Sequence, residues 1–366
     1  MVLFSFLSSS YSYDRLPTDN RKKIVPQHQR RWAIIGGGAF AGFCLIWGVA
    51  KFFAGRSSSC SSLYVPLDHY EYLNTLPLVH NDTLPSSSNQ RAVFSALYSD
   101  SFALAVAVLG HSIRRANVDA RLILPYIASQ VSDRALCVVK SVGWEPHAVP
   151  LLPPPHNSKG IHDRFRDQYT KLRIWSLGEE LGIKSAVYLD ADTLVLRNFD
   201  ELFDIPWELG ATTDVYTDNR GFAITFNAGV LAFRPSKATF EKMTSRMETA
   251  NYPLEQAEQA FLNLFFGTKV LRLPYMYNGN LALKHRSSEV WKEITDEMRV
   301  VHYTIVKPFW DYDVPNGELV TPDRTRQIIQ ARIRDRDFFK EEINWWKNAF
   351  DELMQKKEGD IRVCYS

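Results

Sequence analysis

Ser185-Ala186-Val187-Tyr188-Leu189-Asp190-Ala191-Asp192-Thr193-Leu194 is the stretch on which the fold turns. Its first five residues show no polar alternation and read as a strand buried on both faces, as in a parallel sheet covered by helices. That strand delivers two carboxylates at i and i+2, so both emerge on one side of its carboxyl end. Two anions a few ångströms apart repel unless a cation lies between them. Hard divalent ions such as Mn²⁺ or Mg²⁺ accept such oxygens and keep open positions for substrate phosphates. The carboxyl edge of an α/β sheet is also where such folds place ligands.

Working outward, strands and helices alternate. Ala92–Tyr98 and Arg121–Tyr126 are short β-rich runs separated by a helical Ser101–Ala116. Ser132 is a plausible cap for a helix reaching Val142, and Trp144–Leu151 reads as the next strand before Pro153-Pro154-Pro155. Leu172, Trp175, Leu177 and Leu181 repeat near a 3.6 period, which predicts a helix over Tyr169–Leu181. A strand at Ala223–Phe233, helices at Ser236–Thr249 and Glu255–Phe265, and a strand at Arg299–Tyr303 follow. Asp323–Lys357 is helical throughout. The alternation predicts an α/β domain with a mostly parallel central sheet.

The amino-terminal part has a different character. Trp32–Ala50 is a run of 19 uncharged, mostly apolar residues, which Phe52 and Phe53 can extend. As a helix it reaches about 28 Å, enough for a thin bilayer. Gly36, Gly37, Gly38, Gly42 and Gly48 weigh against a soluble core helix; a cleaved signal peptide, with Ser57–Ser59 as small residues, is the other alternative. Arg21, Lys22, Lys23, Arg30 and Arg31 precede the run while only Lys51 and Arg56 follow it. The positive-inside rule then keeps the amino terminus in the cytosol and carries the body across the membrane. A short span suits early secretory membranes such as the Golgi. The expected plan is a cytosolic tail (1–31), a transmembrane anchor (32–53), a stem (54–90), a catalytic α/β domain (91–312) and a helical extension (313–366).

Charge and cysteine content fit that plan. The 366 residues carry a net charge of +2, yet the first 56 hold eight basic residues against two acidic ones, so the body is acidic. A body without a basic stripe excludes nucleic acid as a partner. Asn81-Asp82-Thr83 is a glycosylation sequon. Beyond Cys44 in the apolar run, Cys60, Cys137 and Cys364 permit one disulfide within a chain.

Two enzyme classes place an Asp-x-Asp after a buried strand. Haloacid-dehalogenase-like phosphatases use Asp-x-Asp-x-Thr with a nucleophilic first Asp, but their motif opens the domain, whereas about 95 residues of α/β pattern precede Asp190. Metal-dependent glycosyltransferases use the pair to hold an ion on a nucleotide-sugar diphosphate. Thr170-Lys171-Leu172-Arg173-Ile174-Trp175, the Asp190 motif, Phe226-Asn227-Ala228-Gly229-Val230, Glu258-Gln259-Ala260-Phe261-Leu262-Asn263, and His302 with Lys307-Pro308 resemble, in order and spacing, glycosyltransferase family 8, the family of the glycogenins and galactinol synthases.

That resemblance implies a GT-A fold, a Rossmann-like mixed sheet with helices on both faces. It also implies a UDP-sugar donor, a glycan or small polyol acceptor, manganese (with magnesium as the alternative ion) and a retaining transfer. Asp190, Asp192 and His302 would be the metal ligands, and Lys307 would neutralise the departing diphosphate. Lys171 would contact donor phosphate or sugar, and Asp100 the uridine. Asn227, Glu258 and Gln259 would lie at the reacting sugar, with Glu255 in the place of another family acid. Two departures stand out: Glu258 replaces an Asp, and His302-Tyr303-Thr304-Ile305-Val306-Lys307 lacks the family's glycine and one residue before the lysine. A catalytically inactive nucleotide-sugar-binding subunit on the same fold is the alternative reading.

Overall fold

The computed structural model describes Asn74 and residues 87–311 and 317–366. The tail, the apolar run at 32–53, Cys60 and the Asn81 sequon lie outside the described residues. Among the described residues no helix is long and apolar enough to cross a membrane.

Seven strands form one sheet in the order β3-β2-β1-β4-β7-β6-β8: β1 is Arg91–Phe94, β2 Arg121–Tyr126, β3 Glu145–Ala148, β4 Ser185–Leu189, β6 Leu209–Val215, β7 Phe222–Phe233 and β8 Leu271–Leu273. β1 pairs in parallel with β2 and β4, and β2 with β3. β7 alone runs against its neighbours β4 and β6, so the sheet is mixed but mostly parallel. β4 is buried along its whole length, as its unalternating sequence requires. Its residues divide by parity: Val187 and Leu189 pack into one core layer, Ala186 and Tyr188 into the other.

Helices cover both faces. Against the Val187 face lie α1 (Ala103–Arg115) and α2 (Asp133–Lys140); Ser132 caps α2 by accepting from the Ala135 amide at 3.2 Å. Against the Tyr188 face lie α3 (Ile174–Glu180), α4 (Lys237–Met247) and α5 (Ala257–Phe266), whose Trp175, Met243, Phe261 and Phe265 are buried. The Tyr169–Leu181 helix of the sequence reading is in fact a 3₁₀ segment, Asp163–Arg173, followed by α3. α6 (Leu281–Arg286) and α7 (Ser288–Thr295) follow β8. The helical Asp323–Lys357 segment expected from sequence is two helices, α8 (Pro322–Asp335) and α9 (Lys340–Val363), broken where Arg336 leaves helical geometry.

A second sheet of three short strands has the order β5-β10-β9, with β5 Thr193–Val195, β9 Gly279–Asn280 and β10 Val300–His302. β5 follows β4 after the turn Asp190-Ala191-Asp192, so the acidic motif is the hinge between the two sheets. A disulfide joins Cys137 on α2 to Cys364 just beyond α9, with 5.6 Å between Cα atoms. It ties the carboxyl-terminal helix to the helical layer over the main sheet.

Candidate functional site

Backbone hydrogen bonds fix the acidic turn from both sides. The Asp190 amide donates to the Gly229 carbonyl of β7 at 2.8 Å, and the Thr193 amide and hydroxyl both donate to the Asp190 carbonyl. Antiparallel pairing sets His302 opposite Thr193, and the Tyr303 amide donates to the Asp192 carbonyl at 2.9 Å. Asp190, Asp192 and His302 therefore converge, each offering one ligand atom within 4.8 Å of the others. His302 Nε2 lies 3.2 Å from Asp192 Oδ1 and 3.9 Å from Asp190 Oδ2. Asp192 and His302 are buried; Asp190 is partly open. Two carboxylates and an imidazole form a donor set that fits Mn²⁺ well and Mg²⁺ less well, because nitrogen is a poor Mg²⁺ ligand.

Two lysines flank the three ligands. Lys307 Nζ pairs with Asp192 Oδ2 and lies 3.4 Å from the Tyr303 carbonyl, so the shortened loop after His302 still brings this lysine to the site. Burial by itself would raise the Asp192 carboxyl, but Lys307 and His302 outweigh it and hold the group well below the usual carboxylate range. Lys171 is 1% exposed, with Nζ 3.1 Å from Asp190 Oδ1 and 2.9 Å from Glu258 Oε1. Burial pulls its ammonium down, yet the charges of Asp190 and Glu258 reverse the effect and leave it above the ordinary lysine value. Its Nζ also stands 4.8 Å from the centre of the Tyr188 ring, and the Tyr188 hydroxyl donates to Asp190 Oδ1 at 2.8 Å. Lys171 thus reaches the site as expected, but as a buried clamp between two carboxylates.

Because β7 is the reversed strand, its Asn227 lies beside the carboxyl end of β4. Leu189 pairs with Val230, three residues beyond Asn227. On the other side of β7, Gln259 Oε1 accepts from the Ala228 amide at 3.0 Å, and Asn263 both accepts from the Phe226 amide and donates to its carbonyl. These amides, one turn apart on α5, clip that helix along the strand. Entry into α5 passes through Ala257 at φ 50° and ψ −136°, a region that a β-carbon disfavours. That turn places Glu258 and Gln259 at the first helical turn, facing β7.

Two residues that the sequence reading did not single out belong to the site. Asp214, near the end of β6, accepts from Asn227 Nδ2 at 3.2 Å and from Gln259 Nε2 at 2.8 Å. Burial raises its carboxyl above the usual range, against the hydrogen bonds that oppose the rise. Asn278, 1% exposed, lies 3.1 Å from His302 Nδ1 and donates to Asn227 Oδ1 at 3.0 Å. The polar Thr212-Thr213-Asp214 run hid β6 from a search for apolar strands, and only the Asn278-Gly279-Asn280 punctuation marked the other segment. Asp100 and Glu255 stand apart from the metal-ligand cluster. Asp100 accepts from the Ser132 amide at 2.8 Å before α2, and Glu255 is exposed in the 3₁₀ turn Leu254–Gln256.

The family model for glycosyl transferase family 8 matches residues 95–313, which contain the whole cluster. The chain is 29% identical over 257 residues to inositol phosphorylceramide glucuronosyltransferase 1 of Arabidopsis thaliana, covering 63% of this chain and 44% of that protein. It is 30% identical to glycogenin-2 of Homo sapiens, covering 65% of this chain and 48% of the relative. To galactinol synthase 1 of Ajuga reptans it is 29% identical over 61% of this chain and 68% of that one. The chain thus spans about half the length of the first two relatives. With the model matched across more than half of its residues, the chain belongs to glycosyl transferase family 8.

Proposed function

We propose that the protein is a metal-dependent retaining glycosyltransferase. It moves a hexosyl or N-acetylhexosaminyl group from a UDP-sugar to a glycan or small polyol acceptor, with its body in the lumen of the early secretory pathway. The observation that carries the reading is the convergence of Asp190, Asp192 and His302 between Lys171 and Lys307. Such a cluster of ligands beside fixed cations suits the diphosphate of a nucleotide-sugar better than a neutral ligand. When bound, a divalent ion supplies charge neutralisation for the departing diphosphate.

The chain's own residues do the rest. Asp190, Asp192 and His302 hold the ion, and Lys307 places a point charge where negative charge develops on the leaving phosphate. Glu258 orients a sugar hydroxyl and offsets positive charge at the anomeric carbon as its bond to phosphate lengthens. Asn227 and Gln259 present amides from a strand and a helix that are clipped together. The anomeric carbon–phosphate bond breaks, the acceptor oxygen bonds to the same face of that carbon, and the acceptor proton passes to a leaving phosphate oxygen. Pairing of Glu258 with Lys171 at 2.9 Å reduces its nucleophilicity and favours this front-face course over a covalent intermediate. Reproducible recovery of a glycosyl-Glu258 peptide by mass spectrometry would contradict it.

The disulfide between Cys137 and Cys364 supports a luminal body, since structural disulfides persist in oxidising compartments. The test of function is UDP release by the full chain from UDP-glucose, UDP-galactose, UDP-xylose, UDP-N-acetylglucosamine and UDP-glucuronate, with Mn²⁺ and with a chelator. The reading requires metal-dependent release from at least one donor. Silence with every donor, in folded protein, would favour the binding-subunit alternative.

A further inference from the structure

Behind the three ligands lies a continuous line of buried side-chain amides, and its direction can be deduced donor by donor. The Gly229 amide is a fixed donor and points at Asn227 Oδ1 at 3.0 Å. With Asn227 Oδ1 taken by that fixed donor, the other end of the amide, Nδ2, faces Asp214 Oδ1 at 3.2 Å. Both ends of Asn227 are therefore assigned without choice. Since Asn227 Oδ1 is an acceptor, Asn278 must turn its Nδ2 toward it, which leaves Asn278 Oδ1 facing His302 Nδ1 at 3.1 Å. An amide oxygen only accepts, so the imidazole nitrogen opposite must carry a proton. Nε2 is then the nitrogen aimed at Asp192 and Asp190, and the one whose lone pair a cation bound there would take.

Sterics fix the ring as well as its proton. A β-carbon on Gly229 would fall 2.7 Å from His302 Nδ1 and 2.9 Å from Asn227 Oδ1, so the imidazole rests against bare backbone. A side chain at position 229 would displace both members of the line.

We propose that Asn278, oriented through Asn227 by Asp214 and the Gly229 amide, is a positioning residue that holds His302 in the Nδ1–H form with Nε2 presented to a divalent cation. The proposal rests on reading Asp190, Asp192 and His302 as a cation site. The alternative tautomer, with its proton on Nε2 and none on Nδ1, would donate to Asp192 and block the ligand position. The amide line makes that tautomer unfavourable, because it would set the Nδ1 lone pair against the Asn278 oxygen. Removing an outer partner of a metal-bound histidine commonly lowers metal affinity by about 10- to 100-fold.

The test uses the full chain with ¹⁵N-labelled histidine, with the His302 signals assigned from a His302→Gln variant. Imidazole nitrogen shifts are recorded without metal, at a pH where the ring is neutral, and Mn²⁺ affinity is measured by calorimetry. Wild type is expected to show a protonated Nδ1 and a bare Nε2. Asn278→Leu, similar in size but without an acceptor, should move the proton to Nε2 and weaken Mn²⁺ binding by about 10- to 100-fold. Asn278→Asp keeps an acceptor for Nδ1–H while setting a carboxylate oxygen against Asn227 Oδ1, so it should retain the proton on Nδ1 and bind Mn²⁺ more tightly than Asn278→Leu. A wild-type proton on Nε2 would overturn the proposal, as would unchanged affinity in Asn278→Leu. If Asn278→Leu does not fold, the wild-type tautomer and the Asn278→Asp titration decide the matter. A protonated Nδ1 in a protein that binds no Mn²⁺ would sink the cation reading while supporting the tautomer assignment.

Discussion

His302 ends β10 and Tyr303 follows it, yet the two neighbours face different buried charge clusters. Tyr303 points toward Glu342, which is 0% exposed and fully engaged. Lys284 donates to both its oxygens at 2.6 and 2.9 Å, Trp291 Nε1 donates at 3.0 Å, and the Tyr303 hydroxyl caps its backbone carbonyl at 2.7 Å. Donors and acceptors match there, and nothing further is needed. His302 points toward Asp190 and Asp192, where three groups able to ligate a cation converge while Lys171, Lys307 and the Tyr188 hydroxyl contact the two carboxylates. A buried polar cluster closed by one lysine and one indole is a structural device; one that gathers two carboxylates and an imidazole from separate strands offers a cation its ligands. Burial alone does not separate the two, and the kind of ligand atoms brought together does.

Substitutions that separate folding from catalysis test this contrast. Asp192→Ala should lower metal-dependent turnover by at least about 10³-fold, or about 4 kcal/mol, comparable with the loss of a strong electrostatic stabiliser. It should cost less stability than loss of Glu342, because its partner Lys307 is partly exposed and can hydrate. Glu342→Ala should do the reverse. Stranding Lys284 and Trp291 costs about 3–5 kcal/mol of stability, with turnover per folded molecule preserved, as denaturant melts and active-site titration would show. Loss of both stability and turnover in equal measure in either variant would erase the distinction.

Smaller effects sharpen it. Cys364→Ser removes a link closing 227 residues of chain and should cost about 2–4 kcal/mol, again without changing turnover of the folded form. Reduction of the wild type should reproduce the shift. Ala257→Gly relieves an unfavourable backbone geometry just before Glu258 and should raise stability by about 1 kcal/mol. Its rate should fall if that turn aims Glu258 and Gln259; an unchanged rate would show that the turn is only a link.

The sequence showed the cation-ligating half of this contrast better than the structural half. Ser185–Leu189 and the two aspartates marked the buried strand and its carboxyl edge, because an unalternating apolar run ending in paired acids admits few readings. Asn227, Glu258, Gln259, His302 and Lys307 were legible through a resemblance whose motifs come in a fixed order. Glu342, by contrast, lies in a charged stretch, Lys340-Glu341-Glu342, where its burial leaves no mark on composition. Asp214 and Asn278 were missed because one lies in the polar end of β6 and the other just before the two-residue β9. The helical break at Arg336 was also hidden, since no glycine or proline announces it.

Calorimetric titration of UDP into the full chain, with Mn²⁺ and with a chelator, tests the central claim most directly. A site in which Asp190, Asp192 and His302 await a cation predicts strong UDP binding only with the ion, and none in Asp190→Asn or Asp192→Asn. UDP binding that ignores both the ion and these substitutions would contradict it.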